Sequence, residues 1–400
     1  MLRTINQRIR EITPQIISWR RHLHRHPELS GQEKETAAMV AEILGNNGIR
    51  HQSGVGGHGV VAWLDNGRPE PGLTFRADMD ALPLTEAKQK DCPYTSTHQG
   101  VMHACGHDGH TAVLLGLATV LAPIAHQLPR PVTLIFQPAE ENGRGARAML
   151  AEQVLQNPPT MAIFGFHFFP HLETGSVALS QGPIMAATNH FSLEVSGRSS
   201  HACYPEKSID AIQIAVSLIT SINYLMTKAR NQVDPALISI GTINGGTASN
   251  IIADHVQITG TIRTLYPEQR RDLLKKFKQL LEDLAKAYGA RISLKIDRVA
   301  PELTNDPRLV QHMARLLGNM PEIKELDLAS KPVLGGEDFA YFAQQVPGCY
   351  LKIGCGNQKK GIIYPLHSNR FDLDEDAMEL ATKVLAATAC QPLELSTSEK

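Results

Sequence analysis

The sequence predicts an α/β protein: a discontinuous α/β domain with a mostly parallel central sheet, interrupted by a smaller ferredoxin-like βαββαβ domain. Three observations carry this. Between about residues 58 and 182 short apolar strands alternate with helical patterns, the arrangement of a layered α/β domain. From about residue 187 the order of patterns becomes βαββαβ, the ferredoxin-like plan. Beyond about residue 299 the α/β character returns, so 1–186 and 299–400 read as one domain and 187–298 as an insertion.

The opening segment, MLRTINQRIREITPQIISWRRHLHRHPE, has the apolar spacing of an amphipathic helix. It has no apolar core followed by a small-residue cleavage site, so no secretory signal is expected. GVVAWL from Gly59, GLTFRA from Gly72, PVTLIFQP from Pro131 and MAIFGFHF from Met161 read as strands, with helices GHTAVLLGLATVLA and GARAMLAE between them. In the insertion, NHFSLEVSG reads as a strand and SIDAIQIAVSLITSINYLM as a helix. ALISIGTING and HVQITGTIRTL are strands, PEQRRDLLKKFKQLLEDLAKAYG is a charged amphipathic helix, and ARISLKIDR is the last strand. The final part offers a helix PRLVQHMARLLGN, the segment GGEDFAYFAQQ, a strand CYLKIGC, the segment YPLHSNRF and a closing helix from about Asp374, before a tail, STSEK, expected to fray.

Composition narrows the function classes. Lys and Arg number 39 against 40 Asp and Glu, so no global field draws in nucleic acid or an acidic membrane, and neither is expected as a partner. The longest apolar stretch, TAVLLGLATVLAPIA from Thr111, is too short to span a bilayer and contains Pro123; it reads as a buried helix. Six cysteines, at 92, 105, 203, 349, 355 and 390, are scattered without a CxxC pair, which fits reduced thiols and a cytoplasmic location. GVGGHGV from Gly54 lacks a following GKS/T and reads as a tight turn rather than a phosphate loop.

Ligand-type side chains cluster at the ends of predicted strands. Asp78 and Asp80 follow GLTFR, Glu140 and Glu141 follow VTLIFQP, His167 follows MAIFGF, and His367 follows GIIYPL. In open α/β sheets the carboxyl ends of the strands converge on the ligand crevice, so these residues point to one shared site. MHACGHDGHTA, residues 101–111, brings Cys105, His107 and further histidines to the start of a helix. A thiolate, carboxylates and imidazoles suit a pair of divalent ions. A carboxylate beside a metal-activated water can take its proton and later pass it to a leaving amine. The adjacent glutamates suit that division, one facing a metal and one facing the water. Two other readings stay open on residue chemistry alone: Cys105 as a nucleophile activated by His107, or a non-catalytic ligand binder.

Several long motifs in order, MHACGHDGHTA, FQPAEENGRGARAM, GFHFFP, SGRSSHACYPEKSIDA, GGTASNIIAD and LGGEDFAYF, resemble the aminoacylase and carboxypeptidase superfamily of dinuclear metallohydrolases. Within it they are most similar to the amidohydrolase branch of hippurate hydrolases, N-acyl-amino-acid amidohydrolases and auxin-conjugate hydrolases. The resemblance runs from HRHPELSGQEKET to PLHSNRFDLDEDA. It implies two divalent metal ions per subunit, zinc or manganese with cobalt and nickel as further candidates, and an N-acyl amino acid or short peptide as substrate. Cys105, a position held by Asp in many relatives, would bridge the metals, and His107, Glu141, His167 and His367 would complete the ligand set. Glu140 matches the general base. Asp78 stands where relatives carry the His of His-x-Asp and is not counted as a ligand, whereas Asp80 would support the ligands from behind. His103 and His110 match no ligand position and are expected to orient or pack.

In the insertion, which the resemblance makes a lid and dimerisation domain, His201 matches the histidine that polarises the scissile carbonyl, in relatives from the partner subunit. Asn250 and Arg263 match substrate contacts, Arg263 suiting a free carboxylate through its fork. Gly335 and Gly336 would let backbone approach the substrate. A homodimer, or a tetramer built from it, is implied. The expected reaction is amide hydrolysis of an N-acyl amino acid, with a dipeptidase or carboxypeptidase activity on the same site as the alternative.

Overall fold

The computed structural model describes residues 1–87, 93–229 and 235–393; Cys92 and the expected frayed tail lie outside them. The chain forms two compact units. One comprises Met1–Gly182, Thr304–Lys331 and Asp338–Lys400, the other Pro183–Leu303 with Pro332–Glu337. The sequence predicts 299–400 as a single piece of the first domain. Instead Pro332–Glu337 groups with the second unit, because the Val333 N–H bonds the Ile184 carbonyl and the Ala186 N–H bonds that of Gly335.

The first unit is built on an eight-stranded sheet. Its order is Arg50–Val55, Gly59–Leu64, Val132–Gln137, Gly72–Asp78, Thr160–Glu173, Gly348–Gly356, Ser176–Ala178, Glu325–Asp327. The central four, from Val132–Gln137 to Gly348–Gly356, run parallel. Val132–Gln137 and Gly72–Asp78 are buried along their whole length, the mark of parallel strands covered on both faces. Arg50–Val55 and the helix Lys34–Asn46 are not signalled by the sequence. RHQSGV is an edge strand exposed at most positions, so it has no apolar alternation to read.

The helices Leu2–Arg25, His107–Leu121 and Asp376–Cys390 pack on one another. Leu2–Arg25 is amphipathic, burying Ile5, Ile9, Ile16, Trp19 and Leu23, and it ends in His22, His24 and Arg25, where positive charge meets the negative end of the helix dipole. His107–Leu121 is apolar all round and buried at every position but Thr119, as a core helix must be. With its 3-10 extension to Gln127 it is long and apolar enough to cross a membrane, yet 67% of its apolar 18-residue stretch is buried within the protein. Phe75, Phe136, Phe164, Phe166 and Phe168 supply the aromatic part of this core.

The second unit has the ferredoxin-like plan. Ala187–Ser196, Ala236–Gly245, His255–Thr264 and Arg291–Ala300 form an antiparallel sheet in the order Ala236–Gly245, His255–Thr264, Ala187–Ser196, Arg291–Ala300. Helices Ala211–Ala229 and Pro267–Tyr288 pack against it. Phe191, Leu193 and Val195, spaced by two along one strand, meet Ile214, Leu218 and Phe277 from the helices.

Candidate metal centre

Gly106, at φ +88°, turns the chain between Cys105 and the helix beginning at His107, a left-handed conformation natural to glycine. The turn leaves Cys105 and His107 buried side by side at the carboxyl end of the Gly72–Asp78 strand. Ligand atoms of Cys105, His107 and His167 lie within 4.8 Å of one another, and so do those of Cys105, Glu141 and His367. Cys105 belongs to both groups. His167 does not follow a strand end as the sequence predicts. It lies within a longer strand, Thr160–Glu173, beside Lys352 of the neighbouring strand. His367 is a loop residue at φ +63°, its N–H held by the Ala104 carbonyl at 2.8 Å, which ties this distant segment to the cysteine loop.

The hydrogen bonds fix which ring nitrogen of each histidine faces the cluster. His107 donates from Nδ1 to Asp80 Oδ1 at 3.2 Å, and His167 from Nδ1 to the Phe168 carbonyl at 2.7 Å. In the neutral rings both leave Nε2 as the lone-pair nitrogen, the arrangement that outer partners impose on metal-ligating imidazoles. His167 Nε2 is 3.3 Å from Cys105 Sγ, while His107 Nε2 is buried without a hydrogen-bond partner, as is Glu141 Oε1. His110 points the other way. Its Nε2 accepts from the Phe168 N–H, so Nδ1 donates to Asp78 Oδ1 at 2.6 Å. Asp80 also accepts from Ser30 Oγ at 2.6 Å and from the Glu141 N–H at 3.0 Å.

The strand Val132–Gln137 ends before Pro138, and the turn carrying Glu140 and Glu141 follows. Ala139 enters it at φ +53°, a strained conformation for a residue with a Cβ, and its N–H is held by Glu33 Oε1 at 2.8 Å. Glu140 is 9% exposed and its Oε1 accepts from the Asp338 N–H at 3.4 Å. Ligand-type atoms of His107, Glu140 and Glu141 lie within 4.8 Å of one another.

Charge is unbalanced here. Burial opposes a charged imidazole, but Asp78, Asp80 and Glu141 outweigh it and push His107 up to about 10. Burial, then the Glu141, Glu140 and Asp78 carboxylates, push the Cys105 thiol well above its ordinary value. Carboxylates gathered this closely beside a thiol that must ionise to ligate call for compensating positive charge. His107 Nε2 and Glu141 Oε1, buried without hydrogen bonds, the latter 3.5 Å from His367 Nε2, form with the thiol and the imidazoles a donor set suited to divalent metal ions.

The expected substrate contacts gather in two places within the second unit. His201 pairs with Ile251 in a two-stranded ribbon, and the Ala202 N–H bonds the Asn250 carbonyl at 3.0 Å, so the motifs of His201 and Asn250 meet. His201 is exposed, and its Nδ1 accepts from the Cys203 N–H at 3.2 Å. Arg263 donates from Nη1 to the Leu334 carbonyl at 2.7 Å, next to Gly335 and Gly336. A Cβ on Gly336 would press on Thr188, the register partner of Arg263, so glycine is required by close approach.

The profile described as peptidase family M20/M25/M40 matches residues 74–391. The chain belongs to that family. It is 37% identical to thermostable carboxypeptidase 1 of Saccharolobus solfataricus over 95% of this chain and 96% of that one. With N-acetyl-L-cysteine deacetylase of Bacillus subtilis it shares 35% identity over 96% of this chain and 90% of that one. A Bacillus subtilis crystal structure described as a dinuclear metal binding peptidase of the M20 family superposes with TM-score 0.80 at 32% identity, covering 95% of this chain and 98% of that one. The α/β fold and the kinship with dinuclear metallohydrolases expected from the motifs therefore stand, and the chain is a metal-dependent amidohydrolase.

Other buried polar residues around the cluster carry no ligand-type pattern in the sequence. Arg76 joins Asp78 at 2.6 Å to Asp338 at 3.0 Å, and Glu33 holds the glutamate turn. Behind His107, Asp108 pairs with Arg20 and His24, both at 2.8 Å. GGEDF contains Asp338, but only its glycines stand out by backbone chemistry, and the partners of Asp338 are far away in sequence.

Proposed function

We propose that this chain hydrolyses the amide bond of N-acyl amino acids, releasing a carboxylic acid and an amino acid. The supporting observation is the placement of Glu140, almost wholly buried, with its ligand-type atoms beside those of His107 and Glu141 in the cluster that also holds Cys105. Two divalent ions would share Cys105, with His107 and His167 on one and Glu141 and His367 on the other. Zinc and manganese are the leading metals, with cobalt and nickel as alternatives. When bound, the ions activate water and polarise the amide carbonyl. Glu140 would accept a proton from the attacking water on its carboxylate and return it to the leaving nitrogen. Because His201 Nδ1 accepts from Cys203, its Nε2 carries the proton and serves as a donor to the developing oxyanion. Arg263 and Asn250, with Gly335 and Gly336, orient the amino-acid half, Arg263 binding its carboxylate. Asp80 holds His107 in the ligating tautomer.

Geometry argues against Cys105 as a nucleophile activated by His107: Sγ lies 3.3 Å from Nε2 of His167, and His107 Nε2 makes no hydrogen bond to it. Dipeptides remain the second substrate class, favoured by the similarity to a carboxypeptidase. For the assembly we propose a homodimer through the second unit. Ala236–Gly245 is an edge strand of its sheet, and Ile212, Val216 and Tyr224, spaced by multiples of four along one helix, are 44%, 56% and 62% exposed. The five described cysteines are free thiols, which fits the cytoplasm.

The test is a panel of acetyl-, benzoyl- and indoleacetyl-amino acids and dipeptides, assayed with chelated protein and after adding zinc or manganese. N-acyl amino acids should be cleaved only with metal. Glu140→Gln should keep the metals and lose about 10²- to 10⁴-fold in kcat. Chelator-resistant turnover, or near-normal activity of that variant, overturns the mechanism.

A further inference from the structure

One carboxylate holds both ends of the turn that carries the glutamates. Asp338 is 1% exposed. Its Oδ1 accepts from Gln137 Nε2 at 2.7 Å and Arg76 Nη2 at 3.0 Å, and its Oδ2 accepts from the Ala146 N–H at 3.0 Å. Gln137 is the last residue of the strand before the turn, and Ala146 lies at the start of the helix after it, Gly145–Ala151. The turn between them carries Glu140 and Glu141, and Glu140 Oε1 accepts from the main-chain N–H of Asp338 itself.

Arg76 extends the clamp. It is 1% exposed, bonds Gln137 Oε1 through Nε at 2.8 Å, and reaches Asp78 Oδ2 through Nη1 at 2.6 Å. Asp78 in turn accepts a hydrogen bond from His110 Nδ1 at 2.6 Å. A buried ion triad, Asp78–Arg76–Asp338, thus runs beneath the cluster and ends on Glu140. Buried charges of this kind are costly unless fully paired, and here the pairing fixes geometry. Asp338 is also the residue at which the chain returns to the first unit after Pro332–Glu337, two positions beyond Gly336.

We propose that Asp338 is a positioning residue for Glu140, holding its carboxylate and its turn in the orientation that proton transfer needs. This rests on reading Glu140 as the base. Misplacing a reacting group by about 1 Å costs on the order of 10²-fold, so a clamp on the turn should be visible in kcat. Asp338→Asn keeps the shape and the main-chain N–H. It removes the charge facing Arg76 and sets an amide donor against donors.

The experiment is a double-mutant cycle of wild type, Asp338→Asn, Glu140→Gln and the double variant, using an activated N-acyl amino acid, with rates normalised to metal-loaded protein. Asp338→Asn should lower kcat about 10- to 100-fold, change KM less than about threefold and keep the metal content. In the Glu140→Gln background the same substitution should cost less than about twofold, because its effect passes through Glu140. The same fold-loss in both backgrounds, or a kcat for Asp338→Asn above half of wild type, overturns the proposal. Near-normal activity of Glu140→Gln alone would instead sink the base assignment. If Asp338→Asn does not yield folded, metal-loaded protein, Gln137→Met removes one donor to the same carboxylate and is read in the same cycle by the same two outcomes.

Discussion

Gly145 shows how narrowly the glutamate turn is built. A Cβ there would overlap the Pro138 carbonyl oxygen and press on Gln137 Nε2, so no side chain fits while the turn stays closed. Gly145→Ala should cut kcat at least about tenfold and weaken metal retention, read by turnover and metal content after dialysis; a fully active variant would show that the turn tolerates opening. Ligand-type chemistry at strand ends marked Cys105, His107, Glu140, Glu141, His167 and His367 as candidates in the sequence, and the family resemblance suggested their roles; the fold brings their ligand-type atoms together. Asp338, Arg76 and Glu33 were not legible. Each works through hydrogen bonds to partners remote in sequence, Arg76 and Asp338 lying 262 positions apart. No local pattern records such a pairing.

Among the elements, the helix Leu2–Arg25 does more than cover the core. Its Arg20, fully buried, bonds Asp108, Asp372 and Glu375, and its His24 bonds Asp108 and Glu86. The metal-loop helix is therefore anchored at its first turn by an ion network. Burial opposes charging of His24, but the bonds to Asp108 and Glu86 outweigh it and Arg20, raising it to about 9. A group that binds its proton more tightly when folded adds stability that is complete below its unfolded pKa, about 6.5, and fades as pH rises through about 9. Urea unfolding should show wild type losing on the order of 2 kcal/mol between pH 6 and pH 9.5 relative to His24→Gln. Equal losses in the two proteins would show that His24 is not charged at neutral pH. The amphipathic spacing predicted this helix, whereas its polar partners came only with the fold.

For the molecule as a whole, metal should act as part of the structure. The cluster holds an imidazole nitrogen and a carboxylate oxygen that are buried without hydrogen bonds, among several carboxylates, so chelation should lower Tm. Returning zinc or manganese at about 100 times its Kd should restore about 2.7 kcal/mol of stability. A Tm indifferent to chelator and metal would contradict the ligand assignment. If His201 serves the neighbouring subunit, a mixture of Glu140→Gln and His201→Ala proteins, each nearly inactive alone, should regain activity on subunit exchange; no recovery would keep His201 within its own subunit.

By itself the sequence determined the layered α/β plan, the βαββαβ order of the second unit and the candidate ligand-type residues. Those depend on hydrophobic period and side-chain chemistry, which are local. Tertiary structure decided the rest. It grouped Pro332–Glu337 with the second unit, placed His167 inside a strand, turned His110 onto Asp78 and gave Glu140 its partner in Asp338. These outcomes depend on which distant groups satisfy one another once water is excluded, and that is settled only when the chain is packed.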